Sequence, residues 1–96
     1  MEMKGEYKLI YTTDDVLSEL VVLVELKPIS GLLKPFQNVY YGVVHVNGEL
    51  YNKKDLNHCV DAKLAVEEIG LELKDDLKKR LRKEGKSFRF KKEEIL

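Results

Sequence analysis

At 96 residues the chain has the length of one domain, enough for a modest core that buries roughly 60 to 65% of the unfolded surface. A hydrophobic fraction of 44% beside a charged fraction of 35% excludes a disordered or fibrous chain and implies a densely ionic surface. The longest apolar run, Leu20 to Val24, falls far short of the roughly 20 residues of a membrane-spanning helix. Met1 to Lys8 lacks the layout of a secretory signal, and Cys59, the sole cysteine, leaves no intrachain disulfide to form. The expectation is a single domain over residues 1–96, intracellular and cytoplasmic, with no membrane association. Lys and Glu are abundant and Gln37 is the only glutamine, a composition found in heat-adapted proteins.

Tyr7, Leu9 and Tyr11 alternate with Lys8, Ile10 and Thr12, a period of two that predicts a first strand over Glu6 to Thr12. Glu19 to Lys27 fits two periods: a strand, or a helix starting at Asp14 or Asp15. The β-branched run Val21-Val22-Leu23-Val24 favours the strand, which makes Thr13 to Ser18 a connection. That strand is apolar on both faces, so both sides of its sheet need cover. Pro28 ends it, and Ser30 to Asn38 reads as a loop around Gly31 and Pro35 whose Leu32, Leu33 and Phe36 are too apolar to stay in water.

Val39 to Val46 and Glu49 to Asn52 flank Asn47-Gly48, the residue pair that supplies both positive φ angles of a type I′ turn and places His45 opposite Leu50. Asp55 is a suitable cap for a helix carrying Leu56, Cys59, Val60, Ala62, Ala65, Val66 and Ile69 at spacings of three and four, with Gly70 as its C-terminal stop. Leu73, Leu77 and Leu81 then predict a second amphipathic helix closed by Gly85, and Ser87 to Lys91 a short last strand. The resulting fold class is α+β: a mainly antiparallel sheet of about four or five strands with two C-terminal helices packed on one face.

Net charge is zero, but the sign is divided along the chain. Residues 1–77 carry 8 basic and 14 acidic side chains, net −6, whereas residues 78–92 carry 9 basic and 1 acidic, net +8. Helix stability accounts for part of this, because bases near a helix C-terminus complement its dipole and Asp75 to Lys79 and Asp76 to Arg80 are favourable i, i+4 pairs. A Lys-rich last strand also discourages edge-to-edge aggregation. The density exceeds what either device needs, and it points to an anionic partner such as nucleic acid, contacted through phosphates. The candidate polyanion-binding residues are Lys79, Arg82, Lys83, Lys86, Arg89, Lys91 and Lys92.

Phe88 and Phe90 lie among these bases. On a strand they share one face and Arg89 and Lys91 take the other, so the rings are expected in the core and not as platforms for base stacking. Gly85-Lys86-Ser87 follows a helix instead of opening one and lacks the earlier glycine of a phosphate-binding loop. His58 and Cys59 are adjacent, about 100° apart on a helix, with His45 the only other His or Cys, which supports neither a zinc site nor a nucleophilic pair. The acidic doublets read as caps and solvated faces. A helix-turn-helix reading would aim Glu72, Asp75 and Asp76 at a major groove, the wrong sign.

No catalytic, metal or cofactor motif is present, and the sequence therefore predicts a small non-enzymatic binding or regulatory protein acting through its cationic C-terminal face. The alternative is a protein-binding inhibitor or accessory subunit that uses a sheet edge or the apolar loop. For such a partner, or for a second copy in a homodimer, the candidate interface is Val21, Leu23, Leu32, Leu33 and Phe36.

Overall fold

A computed structural model of the chain describes residues 4–28, 40–55 and 62–96. They form β1 (Lys4–Thr13), β2 (Val16–Pro28), β3 (Tyr40–Val46), β4 (Glu49–Asp55), α1 (Ala62–Lys83) and β5 (Phe88–Ile95). The strands make one antiparallel sheet in the order β4-β3-β2-β1-β5, so β4 and β5 are its edges. α1 packs across β1 and β2 and beside β5 on one face. Loop residues Leu32, Leu33 and Phe36, and Leu56, His58, Cys59 and Val60 at the expected start of the first helix, lie outside the described residues.

The expected pair of C-terminal helices is wrong, although the α+β class stands. Among the described residues there is one helix, and it runs unbroken through Gly70. Gly70 is buried against β1, where a Cβ would stand 2.6 Å from Cγ and Cδ2 of Tyr7. This glycine is required by the close approach of helix and sheet and does not stop the helix. Gly5 is its counterpart on the strand, where a Cβ would meet Val66 Cγ2 at 2.6 Å and the Ala62 carbonyl oxygen at 3.0 Å. Asp55, expected as a helix cap, is the last residue of β4.

Period fixes which residues form the core. Ala62, Ala65, Val66, Ile69, Gly70, Leu73, Leu77 and Leu81 are the buried stripe of α1, at the three-and-four spacing of one helix face. Beneath it lie Tyr7, Leu9, Leu20, Val22 and Val24, on alternate positions of β1 and β2. Val21 and Leu23 take the opposite face of β2, which α1 does not cover; Leu23 is 44% exposed there.

Both hairpin turns rely on left-handed backbone. Asn47 and Gly48 have φ of 51° and 84°, and Val46 pairs with Glu49 and His45 with Leu50, as the Asn-Gly pair predicts. Asn47 also extends the β2–β3 ladder: its N–H donates to the Val21 carbonyl and its Oδ1 accepts from the Val21 N–H, both at 2.8 Å. The connection expected over Thr13 to Ser18 is instead a two-residue turn, with Asp14 and Asp15 at φ of 48° and 65° and Thr13 paired to Val16. β2 thus starts at Val16, ahead of the Glu19 start read from the sequence. Asp tolerates this conformation better than most residues, and Asp14 is fixed by a reciprocal contact with the α1–β5 connection: its N–H donates to the Ser87 carbonyl at 2.8 Å and its Oδ1 accepts from the Ser87 N–H at 3.0 Å.

Candidate polyanion-binding surface

The cationic segment begins on the last turns of α1 and continues along β5. α1 is closed just beyond Lys83 by Gly85, whose φ is 69°; this is the glycine expected to close the second of two helices. The Lys86 N–H donates to the Leu81 carbonyl at 3.0 Å and the Gly85 N–H to that of Arg82 at 3.1 Å, the paired closure of a left-handed C-terminal cap. The last turn carries Arg80, Arg82 and Lys83 beside the negative end of the helix dipole. Leu77 and Leu81 face the sheet, so Lys79, Arg82 and Lys83 are left on the solvent side as one exposed stripe, with Lys86 just beyond the cap.

The flank of α1 next to β5 has a second use for its cations. Lys74, Lys78 and Arg82 follow one another at intervals of four and lie over the aromatic row of β5. Lys74 Nζ and Lys78 Nζ are 5.4 and 5.5 Å from the Phe90 ring centre, and Arg82 Cζ is 6.0 Å from that of Phe88, within reach of a cation–π attraction. The two rings are 5.6 Å apart, and Tyr11 meets Phe90 edge-on at 6.2 Å. Phe88 and Phe90 pack against the core, as their alternation predicts.

Sequence reasoning missed the group that ends this row. Glu93 pairs with Leu9 in register and so faces the helix. Its Oε1 accepts from the hydroxyl of fully buried Tyr7 at 2.9 Å, and its Oε2 accepts from Lys74 Nζ at 2.7 Å. The Lys74 hydrogen bond holds the Glu93 carboxyl below its ordinary range against the opposing effect of burial, and the Tyr7 bond and the nearby Lys78 charge act in the same direction as Lys74. Burial, followed by the bond to Glu93, pushes the Tyr7 hydroxyl well above its ordinary value. A hydroxyl held protonated in this way donates a structural bond and does not act as a base. The only hint of the group in the sequence was an acidic residue directly after the basic run.

β5 carries the remaining candidates and distributes them around an edge. The β1–β5 register shifts between Ile10 and Tyr11, with Ile10 opposite Lys92 and Tyr11 opposite Phe90, which leaves Lys91 as the extra residue of a bulge. Arg89 pairs with Thr12 and Lys92 with Ile10, on the sheet face away from α1. The seven candidates are therefore not one patch. Lys79, Arg82, Lys83 and Lys86 lie on the helix side, Arg89 and Lys92 on the face away from α1, and Lys91 at the edge between them. Lys92 forms an ion pair with Glu94 at 2.7 Å that raises the Lys92 ammonium and lowers the Glu94 carboxyl from their ordinary values, and Lys86 pairs with Glu84 at 3.5 Å. Lys79, Lys83, Arg89 and Lys91 have no ion pair among the described residues.

Of the candidate partner interface, Val21 and Leu23 share the sheet face away from α1 with Ile10, Val43 and His45 and with the charged Glu6, Lys8, Glu19 and Glu25; Leu32, Leu33 and Phe36 are not described. On the helix side a groove of 460 Å³ runs between Leu73, Leu77 and Arg80 of α1 and Val46, Leu50 and Tyr51 of the β3–β4 hairpin. No helix among the described residues is long and apolar enough to cross a membrane. Comparison with protein-family models, curated proteins and solved structures gives no match.

Proposed function

We propose that this chain is a small non-enzymatic binding protein whose cationic C-terminal surface takes up a polyanion, with the phosphates of nucleic acid as the partner. The observation that carries this reading is the set of exposed cations that folding does not use. Lys74, Lys78 and Arg82 are committed to the Phe88–Phe90–Glu93 row, but Lys79, Lys83, Arg89 and Lys91 have no carboxylate partner among the described residues. Unpaired cations at this density attract polyanions by displacing condensed counterions, and the affinity then falls log-linearly with salt. Fluorescence anisotropy with labelled nucleic acids across a salt series tests the reading directly. Saturable binding that steepens as salt is lowered supports it, and no binding at low ionic strength refutes it.

A second reading is favoured by one observation, the 44% exposure of Leu23 beside Val21 on the sheet face that α1 does not cover. It makes the chain a protein-binding module, in a homodimer or an accessory role, that docks through Leu23 and Val21 among the charged residues of this face. Leu23→Lys would then abolish self-association measured by light scattering and leave polyanion affinity unchanged.

A further inference from the structure

Resting on the polyanion reading, we infer that Arg80, which is not among the candidate cations, anchors a backbone phosphate in the hollow between the C-terminal end of α1 and the β1–β2 turn. Arginine presents a planar fork of N–H donors that grips a phosphate through two bonds, where lysine supplies a point charge. Arg80, Arg82 and Arg89 are the arginines of the chain, and the last two are placed otherwise. Arg82 Cζ lies 6.0 Å from the Phe88 ring centre, and Arg89 pairs with Thr12 at the sheet edge, on the face away from α1. Arg80 is exposed, has no ion pair among the described residues, and lines a concavity on either side.

The carboxylates decide between the two concavities. The groove toward the β3–β4 hairpin carries Glu49 and Asp76, neither of which has an ion pair among the described residues, and both repel a phosphate. The hollow of 560 Å³ on the other side is lined by Thr13, Asp14, Ser18, Glu84 and Lys86 together with Arg80. Here Asp14 Oδ1 accepts from the Ser87 N–H at 3.0 Å and Glu84 pairs with Lys86 at 3.5 Å, so the guanidinium is the group left without a partner. The last carbonyls of α1 are engaged as well: those of Arg80, Leu81 and Arg82 accept from the N–H groups of Glu84, Lys86 and Gly85. The Thr13 and Ser18 hydroxyls can donate to phosphate oxygens. Lys79 and Lys83, one position before Arg80 and three after it, add exposed cations at the same end of the helix. Asp14 keeps its charge and is the group in the hollow that opposes the phosphate.

The test measures anisotropy of labelled single-stranded and duplex DNA with the full chain over a salt series. Arg80→Lys, Arg89→Lys, Asp14→Asn and Asp15→Asn accompany wild type, with circular dichroism confirming that each remains folded. Arg80→Lys keeps the charge and loses the fork, so it should weaken binding by roughly 10-fold at an unchanged salt slope. Arg89→Lys should stay within about twofold of wild type, because a phosphate met only as a point charge is served equally by lysine. Asp14→Asn keeps the acceptor for the Ser87 N–H and removes the opposing charge, and should tighten binding by roughly 3- to 10-fold at low salt. Asp15→Asn, which lies outside the lining of the hollow, should tighten it by less. Equal effects of Arg80→Lys and Arg89→Lys, or an Asp14→Asn no tighter than Asp15→Asn, would overturn the Arg80 anchor while leaving polyanion binding intact. Absence of binding by wild type at low salt would overturn both readings.

Discussion

Gly70→Ala separates two meanings of a glycine in this chain. In a helix interior that is free of contacts, alanine is worth about 1 kcal/mol over glycine, so helix propensity alone predicts a more stable protein. In this structure the added methyl would lie 2.6 Å from two ring atoms of Tyr7, a residue with no exposed surface and no room to retreat. Overpacking of this kind costs about 2 kcal/mol. Any displacement of the ring also weakens the 2.9 Å bond from the Tyr7 hydroxyl to Glu93, worth about 1 kcal/mol. The balance is a loss of about 2 kcal/mol, a fall in Tm of roughly 8–16 °C for a domain of this size. Urea denaturation of wild type, Gly70→Ala, Tyr7→Ala and the double variant completes a cycle, with sucrose added if Tyr7→Ala is too weak to measure alone. In the Tyr7→Ala background the clash is gone and Gly70→Ala should stabilise by about 1 kcal/mol. The same change in both backgrounds, or a stabilised Gly70→Ala in wild type, would refute the close-approach argument.

Glu93 makes stability depend on pH. Its folded carboxyl titrates below the unfolded value of about 4.3, so its contribution is complete above that value and is lost as pH falls through the lowered folded one. Urea midpoints of wild type and Glu93→Gln should therefore differ at neutral pH and converge in acid; a constant difference would contradict the Lys74 pairing. Asn47→Ala loses both the φ of 51° and the bond to the Val21 N–H, and should cost about 1–2 kcal/mol, whereas Asn47→Asp keeps the acceptor and should cost less. Asp14→Ala breaks the tie to Ser87 and should increase amide exchange at Ser87 and Phe88 without affecting the β3–β4 hairpin.

The parts of the fold legible in the sequence are those governed by local chemistry. Asn47-Gly48 specified its turn and the His45–Leu50 pairing because few other residue pairs accept two positive φ angles. The alternation of Phe88 and Phe90 placed both rings on the core side because strand period is local. Asp14-Asp15 was illegible because the contact that holds it comes from Ser87, 73 residues away, and an Asp before an apolar run equally suits a helix cap. Gly70 was misread for the same reason. By local rules a glycine after an amphipathic stretch is a stop, and only the ring of Tyr7 on β1 shows why it belongs inside the helix. The cationic surface was legible as a run of sequence, but its division between two faces was not, since that depends on the β1–β5 register and the bulge at Lys91.

That division also limits how many phosphates the surface can engage. The net +8 of residues 78–92 overstates the number, because Lys78 and Arg82 lie against aromatic rings that hold them beside β5. Lys86 and Lys92 can reach a phosphate only by leaving Glu84 and Glu94, and each carboxylate so released would then face the polyanion. Lys79, Arg80, Lys83, Arg89 and Lys91 bear no such cost, and they imply about five contacts and a salt slope of about −4 to −5 on B-form DNA. A slope near −8 would mean that the ring-bound and ion-paired cations are released on binding, and the Phe88–Phe90 row would then have to open as the complex forms.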